Sequence, residues 1–110
     1  MAITYKVLGQ SAPSATTNTD VYTVGSGKQA TVSTITVCNR NTTTAATYRI
    51  AIRVAGSALS NEEYIAYDAP VGPNDSVTWT IGVTLGAADV VTVYASTANL
   101  SVNIFGAEIA

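Results

Sequence analysis

Apolar and polar positions alternate with a period of two along most of this chain, and that period predicts strands. Ile3, Tyr5 and Val7 alternate with Thr4 and Lys6 to give the first strand. Ser11 to Thr19 is a small-residue loop containing Pro13. Asp20 to Val24 is a short strand, and Gly25-Ser-Gly27-Lys28 is a turn, because glycine reaches positive φ without steric cost. A long strand runs from Gln29 to Cys38, followed by a Thr/Asn loop to Ala45. Thr47 to Val54 alternates most cleanly, with Tyr48, Ile50, Ile52 and Val54 on one face and Thr47, Arg49, Ala51 and Arg53 on the other.

Beyond Ala55-Gly56-Ser57 two patterns overlap. Ser60-Asn-Glu-Glu63 matches a capping box and predicts a helical turn within Ala58 to Ile65. Glu63-Tyr-Ile-Ala-Tyr-Asp68 also reads as a strand, and a strand from about Tyr64 is the reading adopted. Ala69-Pro-Val-Gly-Pro-Asn-Asp75 is the strongest breaker. Then Val77, Trp79, Ile81, Val83 and Leu85 share a face opposite Thr78, Thr80, Gly82 and Thr84. Gly82 inside this strand signals a bulge or a close backbone approach. Asp89 to Ser96 and Leu100 to Ile109 complete about eight strands, with turns at intervals typical of a sandwich. The expectation is an all-β chain: one antiparallel β-sandwich domain over residues 1–110, jelly-roll or immunoglobulin-like, with no repeat or linker.

Composition narrows the function. Apolar residues make up 47% of the chain and charged residues 11%, against about 25% in an average domain. The polar surface must then be mostly Thr, Ser and Asn. Sparse charge and a net charge of -2 suit a surface covered by neighbours, since interface cores are depleted in charge. The five basic residues, Lys6, Lys28, Arg40, Arg49 and Arg53, are scattered, which argues against nucleic acid. No apolar run reaches the roughly 18 residues of a membrane span. The N-terminus lacks a basic region followed by an apolar one, so no signal peptide is expected.

Candidate chemistry is thin. With no histidine, a Ser-His or Cys-His nucleophile is excluded and a zinc site lacks its ligands. Cys38 is the single cysteine, read as a small buried apolar side chain at a strand end. The acids mostly flank turns, where Asp satisfies nearby backbone. Asp68, Asp75 and Asp89 could meet at one end of a sandwich and offer calcium its oxygen ligands, but no loop has the dense spacing of a calcium motif. Gly25-x-Gly27-Lys28 lacks the spacing of a phosphate loop. The sequence therefore predicts no catalytic residue, no cofactor and no metal.

What remains is surface. Arg49 and Arg53 either pair across strands with Glu62 or Glu63 or anchor a subunit interface, where Arg is enriched. Six tyrosines outnumber the single Phe105 and Trp79. Tyrosine buries a ring and keeps its hydroxyl wet, which suits half-buried strands and interfaces. Tyr5, Arg49, Arg53, Tyr64 and Tyr67 are the candidate interface residues. Trp79 is placed in the core rather than on a carbohydrate-stacking platform.

Three segments carry a resemblance. They are Val21-Tyr-Thr-Val-Gly-Ser-Gly-Lys-Gln-Ala30 running into Ser33-Thr-Ile-Thr-Val-Cys-Asn39, then Tyr48-Arg-Ile-Ala-Ile-Arg-Val54, and the closing block from Asn74 to Ile109. In order and together they resemble the small β-sandwich proteins that tailed bacteriophages, including those infecting cyanobacteria, build into their virions. Gly25 stands where that pattern has proline, which loosens the turn. The resemblance implies a structural protein without catalytic residues. A compact domain with no shaft segment looks most like a capsid cement or decoration protein. Such a protein is made in the host cytoplasm and bound to the outer capsid surface, where it bridges neighbouring copies of the major capsid protein, as a homotrimer. The alternative is a tail, neck or fibre component, with or without host-carbohydrate binding.

Overall fold

The computed structural model describes residues 2–110. Eight strands form: β1 Ile3–Ser11, β2 Thr19–Thr23, β3 Gln29–Asn39, β4 Ala46–Arg53, β5 Tyr64–Val71, β6 Ser76–Leu85, β7 Val90–Ala95 and β8 Leu100–Ile109. Two short 3-10 turns, Val54–Gly56 and Asn61–Glu63, lie between β4 and β5.

The strands make two four-stranded sheets, one in the order β1-β8-β3-β6 and the other in the order β2-β7-β4-β5. We call them sheet A and sheet B. All ladders between them are antiparallel, and β1 pairs with β8, β2 with β7, β3 with β6 and β4 with β5. The chain therefore behaves as one long hairpin rolled over itself, closed by the additional pairings β3–β8 and β4–β7. That is the jelly roll; an immunoglobulin-like order, with its first two strands hydrogen-bonded in one sheet, is not what forms.

The core lies between the sheets. Val32, Ile35 and Val37 of β3 and Leu100, Val102 and Ile104 of β8 pack against Tyr48 and Ile50 of β4 and Val91 and Val93 of β7. These residues alternate along their strands because successive side chains leave opposite faces, except between Val32 and Ile35, where a one-residue register shift between Val32 and Thr34 resets the phase. Burying each such side chain is worth about 1.5–3 kcal/mol. At the edge of sheet A, Val77, Trp79, Ile81 and Val83 of β6 turn inward and are half-buried against this core, as the alternation predicted. The Trp79 indole N–H donates to the Tyr48 hydroxyl at 2.7 Å and so ties the two sheets together.

Local departures have physical causes. Asn61–Glu63 forms the capped turn and Tyr64 begins the strand, so both readings of that stretch hold, end to end. Val54 does not continue the inward face of β4. It is 63% exposed in a 3-10 turn, where Ala55 and Gly56 take positive φ and bend the chain away. The breaker starts later than expected: Ala69, Pro70 and Val71 belong to β5, which tolerates proline because it is an edge strand. Gly82 marks a bulge, since β3–β6 pairing shifts between Val32/Val83 and Thr34/Thr80, and a side chain there would meet nothing. The close approaches are at Gly9 and Gly106, where a Cβ would run into the carbonyls of Val21 and Thr31. Cys38 is half-buried and faces outward rather than into the core, because Val37 and Asn39 take the inward positions of that strand end.

Candidate functional site

The two outer faces of the sandwich are built differently. The outer face of sheet B is internally satisfied by two arginines. Arg49 on β4 places its guanidinium 4.2 Å from the Tyr67 ring centroid and 4.3 Å from that of Tyr94 on β7. Its Nε donates to Asp68 Oδ1 at 2.7 Å, and that bond holds the guanidinium above its ordinary pKa. Tyr64 meets Tyr67 edge-to-face at 4.9 Å. Arg53, four residues further along the same face of β4, donates to both carboxylate oxygens of Asp20, to Thr92 Oγ1 and to the carbonyls of Gly56 and Ser57. The expected partners Glu62 and Glu63 are not used. Glu63 is buried, and its carboxylate accepts from the N–H groups of Ser60 and Val54 and from Ser57 Oγ. Burial alone would raise its pKa; these donors outweigh it, and the pKa falls below the usual carboxylate value.

The three aspartates weighed for calcium are kept apart by separate local duties. Asp68 holds Arg49, Asp75 accepts from Ser76 N–H, and Asp89 accepts from the N–H groups of Ala55 and Gly86. Among the described residues no three or more Cys, Asp or Glu side chains gather as a metal site would require.

Sheet A turns outward a different surface. Near the start of β1, Ile3 is 50% exposed, Tyr5 83% and Val7 46%. Beside them on β8 lie Phe105, Ala107 and Ile109, paired with β1 in the register Ile3↔Ile109, Tyr5↔Ala107 and Val7↔Phe105. The strip borders a shallow cleft of about 690 Å³, floored by Gly106 and reaching Thr31 and Ser33 of β3. The cause of this outward apolar face is a bulge at Leu8. Pairing shifts between Val7↔Phe105 and Gly9↔Ile104, so Leu8 enters the core while Ile3, Tyr5 and Val7 keep the opposite phase. Alternation in the sequence identified the face but not its direction, and Phe105, Ala107 and Ile109 carried no signal of their own.

One ion pair sits under the strip. Lys6 Nζ lies 2.8 Å from Glu108 Oε1, and the buried Tyr22 of β2 donates its hydroxyl to Glu108 Oε2 at 2.7 Å. Lys6 and Tyr22 hold the Glu108 carboxyl below its usual range, while burial and that carboxylate push the Tyr22 phenol up. This cluster closes one end of the sandwich and leaves the strip without an unpaired charge.

The five interface candidates are thus split. Tyr5 stands alone on sheet A, whereas Arg49, Arg53, Tyr64 and Tyr67 share the outer face of sheet B. Among the described residues no helix is long and apolar enough to cross a membrane. No family model matches the chain, no curated protein matches it and no solved structure matches it.

Proposed function

We infer that this chain is a structural protein of a virion, a capsid cement protein that seats on the major capsid protein through the outer face of sheet A. The observation that carries the reading is the strip of Ile3, Tyr5, Val7, Phe105, Ala107 and Ile109. An exposed contiguous apolar patch with a polar surround marks an interaction surface. The low charge of the chain supports it, as do the three segments that resemble phage virion proteins. The jelly-roll topology is compatible by analogy alone, since that architecture serves capsid and lectin domains alike.

A second reading draws on sheet B. Tyr67 is 58% exposed beside Asp68, an aromatic face next to a polar group of the kind that stacks sugars. On that reading the chain is a tail, neck or fibre component contacting host carbohydrate.

Quantitative mass spectrometry of virions purified from cells that make the chain separates the two. Near one copy per capsid subunit is the result expected of a cement protein. A handful of copies moves the chain to the tail, and absence from purified virions overturns both readings. Added back to capsids lacking it, the chain is expected to raise their heat stability, and Tyr5→Asp to abolish that effect.

A further inference from the structure

We propose that the free edge of β1 pairs with β1 of a second copy of this chain, antiparallel and across a two-fold axis at Tyr5. The proposal is independent of what the outward face seats on.

The edge is open and its polarity can be read. Ala2 and Ala110 exchange both backbone hydrogen bonds, at 3.0 and 2.9 Å, so they form a narrow pair of the β1–β8 ladder. Antiparallel ladders alternate, so Thr4 and Lys6 also bond toward β8, while Ile3, Tyr5 and Val7 point their N–H and C=O groups away from it. Sheet A ends at β1, and residues from Ile3 to Val7 are exposed throughout. Past Val7 the bulge at Leu8 and the close pass of Val21 over Gly9 end the regular segment.

A copy of the same segment completes this edge. With Tyr5 opposite Tyr5, Ile3 meets Val7 and Thr4 meets Lys6. Ile3, Tyr5 and Val7 of both copies then direct their backbone groups at one another, giving roughly six hydrogen bonds, two per narrow pair. No like charges face each other, and the one charged side chain is already held by Glu108. Aromatic opposes aromatic and aliphatic opposes aliphatic, the pairings that stabilise neighbouring strands. An isologous contact requires this self-complementarity. The two apolar strips would join into one on a continuous eight-stranded sheet.

The other edges are less suited. Natural sheets blunt their edges with proline, short strands, charge or bulges. β5 contains Pro70, a positive φ at Asp68 and two register shifts. β2 has five residues and a shift between Asp20 and Tyr22. β6 is uncharged, but it turns threonines and a glycine outward and breaks register at Gly82.

The test combines mass and cross-linking in solution. Light scattering across a concentration series is expected to give a species of twice 11.3 kDa. In a Cys38→Ser background, Tyr5→Cys sits on the axis and is expected to oxidise to a covalent dimer, whereas Thr97→Cys on the β7–β8 loop is not. Tyr5→Asp sets a charge against its own copy and is expected to weaken association at least tenfold. Near-ultraviolet dichroism of Trp79 checks that this variant is folded. A monomer at all concentrations overturns the proposal. A trimer, the state implied by the phage resemblance, overturns the two-fold, as does a dimer that Tyr5→Cys fails to cross-link.

Discussion

Sheets A and B share one core, yet their outer faces are completed in opposite ways. Sheet B finishes its contacts within the chain: Arg49 is stacked and paired, Arg53 holds Asp20, Thr92 and two carbonyls, and Pro70 guards an edge. Sheet A leaves an apolar strip and a bare edge at β1. The lesson is that charge placement separates the two faces more than hydrophobicity does. Of the five basic side chains, the two on sheet B's outer face are held there by carboxylates, whereas Lys6 on sheet A is drawn inward to Glu108.

The largest test of that comparison concerns the faces the sheets share. Ile35 of sheet A and Ile50 of sheet B are both fully buried. Ile35→Ala and Ile50→Ala are each expected to cost about 2–5 kcal/mol in chemical denaturation, through lost burial and a residual cavity. Costs differing severalfold would break the idea of one shared core. Gly106→Ala comes next. Its Cβ would strike the Thr31 carbonyl, which belongs to a paired strand and cannot swing aside, so a loss of about 1–3 kcal/mol is expected. Gly82→Ala, with open space around it, serves as the control and is expected to stay within about 0.5 kcal/mol.

The outer faces should then diverge. Arg53→Ala removes a cross-strand network, taking from Thr92 Oγ1 its donor and leaving Asp20 with the Thr92 hydroxyl alone, a loss of about 1 kcal/mol by thermal unfolding. Tyr5→Ser removes a side chain that contacts mainly solvent and is expected to change stability by less than about 0.5 kcal/mol in the monomer. An equal loss in both variants would show that sheet A's strip is structural rather than an interaction surface.

Much of this fold was legible in the sequence because strands write themselves as alternation. Val77 to Leu85 and Leu100 to Ile109 form where the period of two placed them, and Thr47 to Val54 does so up to Arg53. Strand order was not legible, since jelly-roll and immunoglobulin-like sandwiches share the same local patterns and differ only in non-local pairing. The candidate surface was half legible. Tyr5 was singled out by residue type, but whether its face turns in or out depends on a one-residue bulge at Leu8, and a one-residue slip exchanges the faces of a strand. The arginine partners were missed for a similar reason. Asp68 lies on the neighbouring strand β5 and Asp20 on β2, across β7 from Arg53, at distances in sequence that no local pattern encodes, while Glu63, the nearer acid, is claimed by its own turn.

The smallest expected effect is on the acid side, and it lies where the two sheets meet. Glu108 of sheet A accepts from Tyr22 of sheet B and pairs with Lys6. Its pKa is lowered in the folded chain, through Lys6 first and Tyr22 second. A carboxylate with a depressed folded pKa contributes stability above its unfolded value, about 4.3, and loses that contribution as pH falls through the folded value. Unfolding midpoints should therefore hold steady from pH 7 to about 5 and decline below about 4.3. Glu108→Gln removes this group's share, so it should lower the midpoint at pH 7 while making the acid decline shallower. Glu63 is depressed too and keeps part of the decline in place. Parallel profiles for the wild type and Glu108→Gln would mean that the Lys6–Glu108–Tyr22 contact does not couple the sheets in solution.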